Sequence, residues 1–448
     1  MSQWSRPLST LALALLLVAR PAWGLDLLDS YRLAKQNDRQ LRIAKARAEA
    51  EAERVPQAMS QLLPNVTASA SRSDVSQQRE QSGVTGPRIR YESESDTVAL
   101  RQPILRLRSA FALQQARHQV RGSQAELQRE EQNLSVRLVN AYFDALLARD
   151  RIELLAAQRR NVETRLLAAQ RALEAGTGIR TDVDEARAQL DRIHAQEIGL
   201  QQSIHVTTTQ LEVLIGQGVE RLDSLDIERL TPESFDPGEL EPLIDLSREQ
   251  SPAILARMAQ MEAAKSGIRA AQSDHLPTLD LVAQYSRSLS DSPFFLNTQI
   301  ESTSLGFQLN IPLYQGGATS SRVREAVALS EESKERYFDA VNTAQVQLRR
   351  DYGAIKEGIA QVRALEQALR SAEQAVFSNQ RGVEAGTRTS LDVLLVEQQR
   401  FQVQVDLAQA RYQMLAAWVR LNSLIGTMDE EEIGRLNALL KTTPAPGL

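Results

Sequence analysis

Two stretches decide the reading of this chain: EAGTGIRTDVDEARAQL at 174–190 and EAGTRTSLDVLLVEQQR at 384–400. They are two versions of one segment, 210 residues apart. At the same offset Tyr142 meets Tyr352, and LEVLIG (211–216) meets LNSLIG (421–426). Upstream the offset drifts, to 213 between Pro64 and Pro277 and to 209 between Pro103 and Pro312, as loop insertions would make it. A chain written twice is the sequence signature of a repeat architecture. The expected organisation is a leader at 1–24, a first repeat at 25–216, a bridge at 217–240, a second repeat at 241–426 and a tail at 427–448.

Each repeat shows the same order of patterns. A helical segment (27–60; 241–273) ends at Leu63-Pro64 or Leu276-Pro277, because proline disfavours helix in the residue before it. Period-two alternation follows, clearest in Leu279, Leu281, Ala283 and Tyr285 against Asp280, Val282, Gln284 and Ser286. It recurs in Leu305, Phe307, Leu309 and Ile311 against Ser304, Gly306, Gln308 and Asn310. This predicts four strands of about ten residues each, with polar loops at 76–94 and 290–301. A very long helix comes next. Leu134, Leu138, Ala141, Ala145, Ala148, Leu155 and Val162 keep a 4-3 spacing, echoed by Ala344, Leu348, Ile355, Val362, Leu369 and Val376. Such a seam predicts left-handed coiled-coil packing. A helix from 107 to 174 would run about 100 Å at 1.5 Å per residue. Each long helix turns at AGT (175–177; 385–387), with Gly176 and Gly386 in the turn, and returns as a shorter helix (182–215; 390–425).

Composition narrows the function. The 448 residues include no Cys, which rules out disulfides, Cys-ligated metal and a lipid-modified N-terminal Cys. His118, His194, His205 and His275 are scattered and give no metal-ligand spacing. Neither a cofactor nor an enzymatic activity is expected. Residues 1–24 carry Arg6, an apolar run from Leu8 to Val18, and small residues at Ala22 and Gly24, the layout of an export signal cleaved before Leu25. Without Arg6 and Arg20 the chain has 50 basic against 57 acidic groups, a net charge of −7, and no reason to bind nucleic acid.

Four amphipathic strands cannot close a barrel alone, and an open sheet in lipid leaves its edge hydrogen bonds unmade. Either several chains share one barrel, or the strands belong to a soluble sheet in a periplasmic coiled-coil scaffold. The duplicated layout resembles the TolC-type outer-membrane efflux proteins across essentially all of the chain after the leader. The two tip motifs carry that resemblance, with IPLYQGG (311–317) and DLAQARYQMLAAWVRLNSLIGTM (406–428) in support.

The resemblance implies a mostly helical, trimeric channel: an α-barrel of long coiled-coil helices joined to a shared 12-stranded transmembrane β-barrel, four strands per chain. It implies an outer-membrane location in a Gram-negative cell, a long periplasmic portion, a periplasmic adaptor and an inner-membrane ABC transporter or proton-driven pump as partners. It further implies a gate at the periplasmic tips, where Thr181 and Asp182 match one side, Arg388 its basic partner and Asp392 an aperture ring. Two departures stand out: Val383 replaces an expected gate Tyr, and Leu395 a second ring Asp. Helix capping is the simpler reading of Thr181 with Asp184 and of Thr389 with Asp392. Tyr142, Tyr352 and Trp418 read as packing residues, and Phe294-Phe295 as rim or loop. The C-terminal motif favours the type I protein-secretion branch; the exit duct of a multidrug or metal efflux pump is the alternative.

Overall fold

The computed structural model describes residues 25–292 and 295–441; the leader and Phe294 lie outside them. The order is α1 (Leu27–Asn37), α2 (Arg39–Ala52), α3 (Arg54–Ser60), β1 (Asn65–Gln77), β2 (Glu80–Gln81), β3 (Val84–Thr85), β4 (Ile89–Leu105), α4 (Leu107–Glu174) and α5 (Arg180–Ile215). There follow β5 (Ser224–Leu225), α6 (Leu240–Gln250), α7 (Pro252–Gln272), β6 (Thr278–Ser292), β7 (Phe295–Asn310), α8 (Ala318–Glu384), α9 (Ser390–Ile425), α10 (Glu430–Asn437) and β8 (Leu440–Lys441). The first segment of each repeat is broken, not continuous as expected. Asp38 stops α1 and caps α2, its carboxylate accepting from Leu41 N–H at 2.7 Å. In the second repeat Pro252 forces Ser251 out of helical geometry and opens α7.

β1, β4, β6 and β7 form one antiparallel sheet in the order β1-β4-β6-β7, so β1 and β7 are its edges. Cross-strand register sorts the side chains into two faces. One face carries the rows Leu305–Ala283–Leu100–Val66 and Thr303–Tyr285–Val98–Ala68, with Phe307–Leu281 and Leu309–Leu279 below them. The other carries Ser302–Ser286–Thr97–Ser69 and Ser304–Gln284–Ala99–Thr67. An apolar face beside a hydroxyl face is the pattern of a wall between lipid and water.

The loops expected at 76–94 and 290–301 are largely strand. The four strands run 13, 17, 15 and 16 residues, and β2 pairs with β3 inside the first connection. The physical reason is visible in the register. Beyond Thr303 the apolar face becomes charged, starting with the row Glu301–Arg287–Asp96, while the other face stays Ser-rich. A ladder polar on both faces gives no hydrophobic period. The apolar band itself spans about nine residues per strand, close to what a tilted strand needs to cross a bilayer.

The long helices run 68 and 67 residues and their return helices 36 each. Near the sheet, α2 and α3 pack on α4, α4 on α7, and α7 on α8; farther out the order is α5, α4, α9, α8. The seam buries Leu134, Leu138, Leu348, Ile355 and Val362 completely, and a second cluster of Leu155, Val162 and Ile193 lies nearer the tips. The polar interruptions of the seam have partners. Buried Asp351 accepts from Arg420 Nε at 3.2 Å and Gln347 Nε2 at 2.9 Å. A Cβ on Gly358 would sit 3.1 Å from Met414, so that glycine sets a close crossing of α8 and α9.

At mid-height a belt made of bridge and tail lies against the helices. The bridge supplies β5, the tail supplies β8, and the two pair. Tyr142 donates to the carbonyls of Leu25 (2.9 Å) and Asp223 (3.2 Å), while its repeat-mate Tyr352 donates to that of Gly238 at 2.9 Å. Phe235 meets Trp418 edge to face at 5.4 Å. Asn437 Oδ1 accepts from Leu27 N–H at 2.9 Å, joining α1 to α10.

Candidate functional site at the helix tips

Both long helices end in the same turn. Ala175 and Ala385 are the last right-handed residues; Gly176 (φ 73°) and Gly386 (φ 71°) follow in the left-handed region. Thr177 N–H reaches back to the Ala172 carbonyl at 2.9 Å and Gly176 N–H to that of Leu173 at 3.0 Å. Thr387 N–H and Gly386 N–H do the same to Gly382 and Val383, at 2.9 and 3.0 Å. This is the Schellman closure, and the positive φ is why glycine stands at both places.

The return helices start differently. Thr389 caps α9 with a complete capping box: its hydroxyl accepts from Asp392 N–H at 3.2 Å, and the Asp392 carboxylate accepts from Thr389 N–H at 2.9 Å. The two bonds its carboxylate accepts, from Thr389 N–H and from the Thr389 hydroxyl at 3.0 Å, with a smaller contribution from Arg388, hold the Asp392 carboxyl below the usual carboxylate range. The cap expected at Thr181 with Asp184 is not there. The N-cap residue of α5 is Ile179, which offers no side-chain bond; Thr181 lies inside the helix and Asp184 faces Arg180 at 3.7 Å. Asp182 is the first-turn acid, at the place of Asp392 in the other repeat.

Arg388 is exposed, and among the described residues its guanidinium makes no hydrogen bond. Its stem lies over Gly382, where an added Cβ would come within 2.6 Å of Arg388 Cγ. The first tip solves the same crowding in reverse. There Gly178 lies 2.9 Å, at its would-be Cβ, from the Cβ of Ala172. One member of each crossing pair is glycine, and the repeats place it on opposite strokes of the hairpin. Val383 and Leu395, the two departures from the family pattern, are both exposed.

One polar residue of this region escaped sequence reasoning. Glu397 is buried on α9 and accepts from Arg165 Nε at 3.0 Å and Nη2 at 2.5 Å, with Gln380 Nε2 at 3.4 Å. It ties the second hairpin to α4 of the first. The available signal was an acid four residues after buried Val393 and four before Phe401, on the packed face of the helix. Among the described residues no helix is long and apolar enough to cross a membrane, which leaves the sheet as the element with a lipid-like face.

The family model described as outer membrane efflux protein matches residues 30–217 and 243–427. The chain is 32% identical to the alkaline protease secretion protein AprF of Pseudomonas aeruginosa, over 96% of this chain and 91% of that one. It is 30% identical to the proteases secretion protein PrtF of Dickeya chrysanthemi (97% and 95% covered) and to the outer membrane protein TolC of Vibrio cholerae (94% and 94%). Solved structures of CusC (TM-score 0.80, 16% identity, 90% and 92% covered) and of VceC from Vibrio cholerae (0.77, 21%, 89% and 96%) share its fold. With its helix–strand–strand–helix order written twice, an amphipathic four-stranded sheet and the matched model over both halves, this chain belongs to the outer membrane efflux protein family.

Proposed function

We propose that the protein is the outer-membrane exit duct of a type I secretion system, a passive trimeric channel that lets a polypeptide leave the cell. The single observation that carries the duct is the sheet, apolar on one face, hydroxyl-lined on the other, and unpaired at both β1 and β7. Three copies would join β7 to the next β1 and leave no free edge. The helical part supports the same assembly. Its two flanks expose apolar side chains, Ile43 (67%) and Val213 (74%) on α2 and α5, Phe338 and Val346 on α8. Secretion of protein, not of small molecules, is supported by the likeness to two protease secretion proteins along nearly the whole chain. A periplasmic adaptor and an inner-membrane ABC transporter complete such a system.

The tips serve as the gate in this reading. Arg388 projects a fork-shaped donor whose guanidinium makes no hydrogen bond among the described residues, and the first tip offers Thr181 and Asp182 on a helix start with no side-chain cap. Asp392 has its capping box whether or not it also narrows an aperture ring.

Deletion of the gene should abolish export of one or a few polypeptides and leave drug and metal tolerance unchanged. Loss of tolerance with export intact would assign the duct to an efflux pump. The protein should fractionate with the outer membrane as a heat-labile trimer; a monodisperse monomer with native sheet content would end the duct reading.

A further inference from the structure

The hydroxyl-lined face of the sheet carries one charged group of residues, at its helix end. Arg101 on β4 shares a row with Asn65, Val282 and Gly306. It donates from Nε (3.0 Å) and Nη2 (2.5 Å) to Asp280 of β6, which also receives Arg106 Nε at 3.1 Å and Nη2 at 2.9 Å. Asp280 is buried, whereas the Arg101 side chain is 51% exposed. Two guanidiniums against one carboxylate leave a net charge of +1. Among the described side chains of the four strands, every other charged one lies on the opposite face.

This arrangement presents a cation and hides its counter-ion. Asp280 has all its described bonds directed to the two arginines, so it fixes Arg101 without facing the water beside it. Nη1 of Arg101 makes no hydrogen bond among the described residues, and an added Cβ at neighbouring Gly306 would meet nothing within 4 Å. The hydroxyl rows beyond it hold no charge to offset the field. A charge on a low-dielectric wall facing a water-filled cleft acts on passing ions more strongly than one in open solvent.

We propose that the three Arg101 guanidiniums of a trimer form a cationic collar at the mouth of the barrel that binds acidic segments of a polypeptide in transit. The proposal rests on the trimeric-duct reading. An arginine edge pairs with a carboxylate in planar, often bidentate geometry. Held by Asp280, it would do so without first being ordered. Acidic stretches emerging from the helical tunnel would pause at the collar, and basic ones would be repelled.

The test is block of single-channel current in planar bilayers by a ten-residue oligoglutamate added on the extracellular side. The wild type should be blocked in a concentration-dependent way, and oligolysine of equal length should have no effect. Arg101→Gln should weaken the block about tenfold or more, and Arg101→Lys, which keeps the charge but loses the fork, should weaken it to a lesser degree. Raising salt from about 0.1 M to about 1 M should abolish the block, because the screening length falls from about 10 Å to about 3 Å. Equal block of Arg101→Gln, block by oligolysine, or block surviving in high salt would overturn the collar. If Arg101→Gln does not assemble, the lysine variant and the salt series still decide. A wild type without trimer-sized conductance would instead defeat the duct reading.

Discussion

The two helix tips share one turn and differ in what they offer. Both close by the same hydrogen bonds onto a left-handed glycine, and both bury a valine one turn into the return helix, Val183 and Val393. The second tip then adds a capping box, an exposed arginine with no guanidinium hydrogen bond among the described residues, and a buried glutamate that grips the other hairpin. The first has Ile179 exposed at its cap and Arg187, on the surface, where the second has Glu397. Duplication supplied one hairpin twice; the differences lie in polar side chains that packing does not require. The second tip is the better anchored inside its own chain and the better equipped to bond outside it.

The largest effect should come from the deepest difference. Glu397→Ala strands Arg165 at a largely buried site, and losing one partner of such a pair costs about 3–5 kcal/mol. The lower end is expected because Arg165 keeps 24% of its side-chain surface in water. Arg187→Ala should change stability by less than about 0.5 kcal/mol. Denaturant melts of the trimer compare the two, and equal losses would erase the contrast.

Next comes Arg388→Ser. One charge-assisted hydrogen bond is worth about 1.5–3 kcal/mol, so each released tip should shift the closed-to-open ratio about tenfold or more. Single-channel conductance should rise while trimer melting stays put. Arg180→Ser, on the first tip, should leave conductance alone. A fall in trimer stability at unchanged conductance would make Arg388 a brace.

A smaller effect separates the caps. Thr389→Val should cost about 1 kcal/mol and Thr181→Val almost nothing. Ile179→Thr sharpens the point: it places a hydroxyl three residues before Asp182, and a new capping box should stabilise the first tip by about 0.5–1 kcal/mol. Amide exchange at 180–184 and 390–394 reads each change locally.

The smallest effect is in acid. The Asp392 carboxyl is held below its ordinary value by bonds from Thr389, so its contribution is complete above the unfolded carboxylate value near pH 4. It is lost as pH falls through the lower, folded value. Exchange protection of 390–393 should therefore be flat from pH 7 to about pH 5 and decline below about pH 4. A decline already at pH 6 would point to another group.

The tips also show what the sequence made legible. The long helices end at 174 and 384 because a glycine signals its turn without help from distant residues. Threonine is a good cap in general, which points to Thr181, while the turn geometry puts the N-cap three residues after the glycine in both repeats. Counting from Gly176 lands on Ile179, as counting from Gly386 lands on Thr389. Strand lengths were underestimated where both faces turn polar and the period disappears. The Arg165–Glu397 and Arg101–Asp280 pairs were out of reach, since their members lie 232 and 179 residues apart and meet only after folding.

The belt has a consequence for the order of events in making the protein. Asn437 bonds Leu27 across 410 residues, and β8 zips to β5 from the far side of the second repeat. Contacts of such separation form late, because the loop they close must be ordered first. A chain arriving N-terminus first must therefore keep the face of α1 that meets α10, and the edge of β5, uncovered until those last elements have folded. Those surfaces are the ones a periplasmic chaperone would find, and the docking of α10 is the moment at which they disappear.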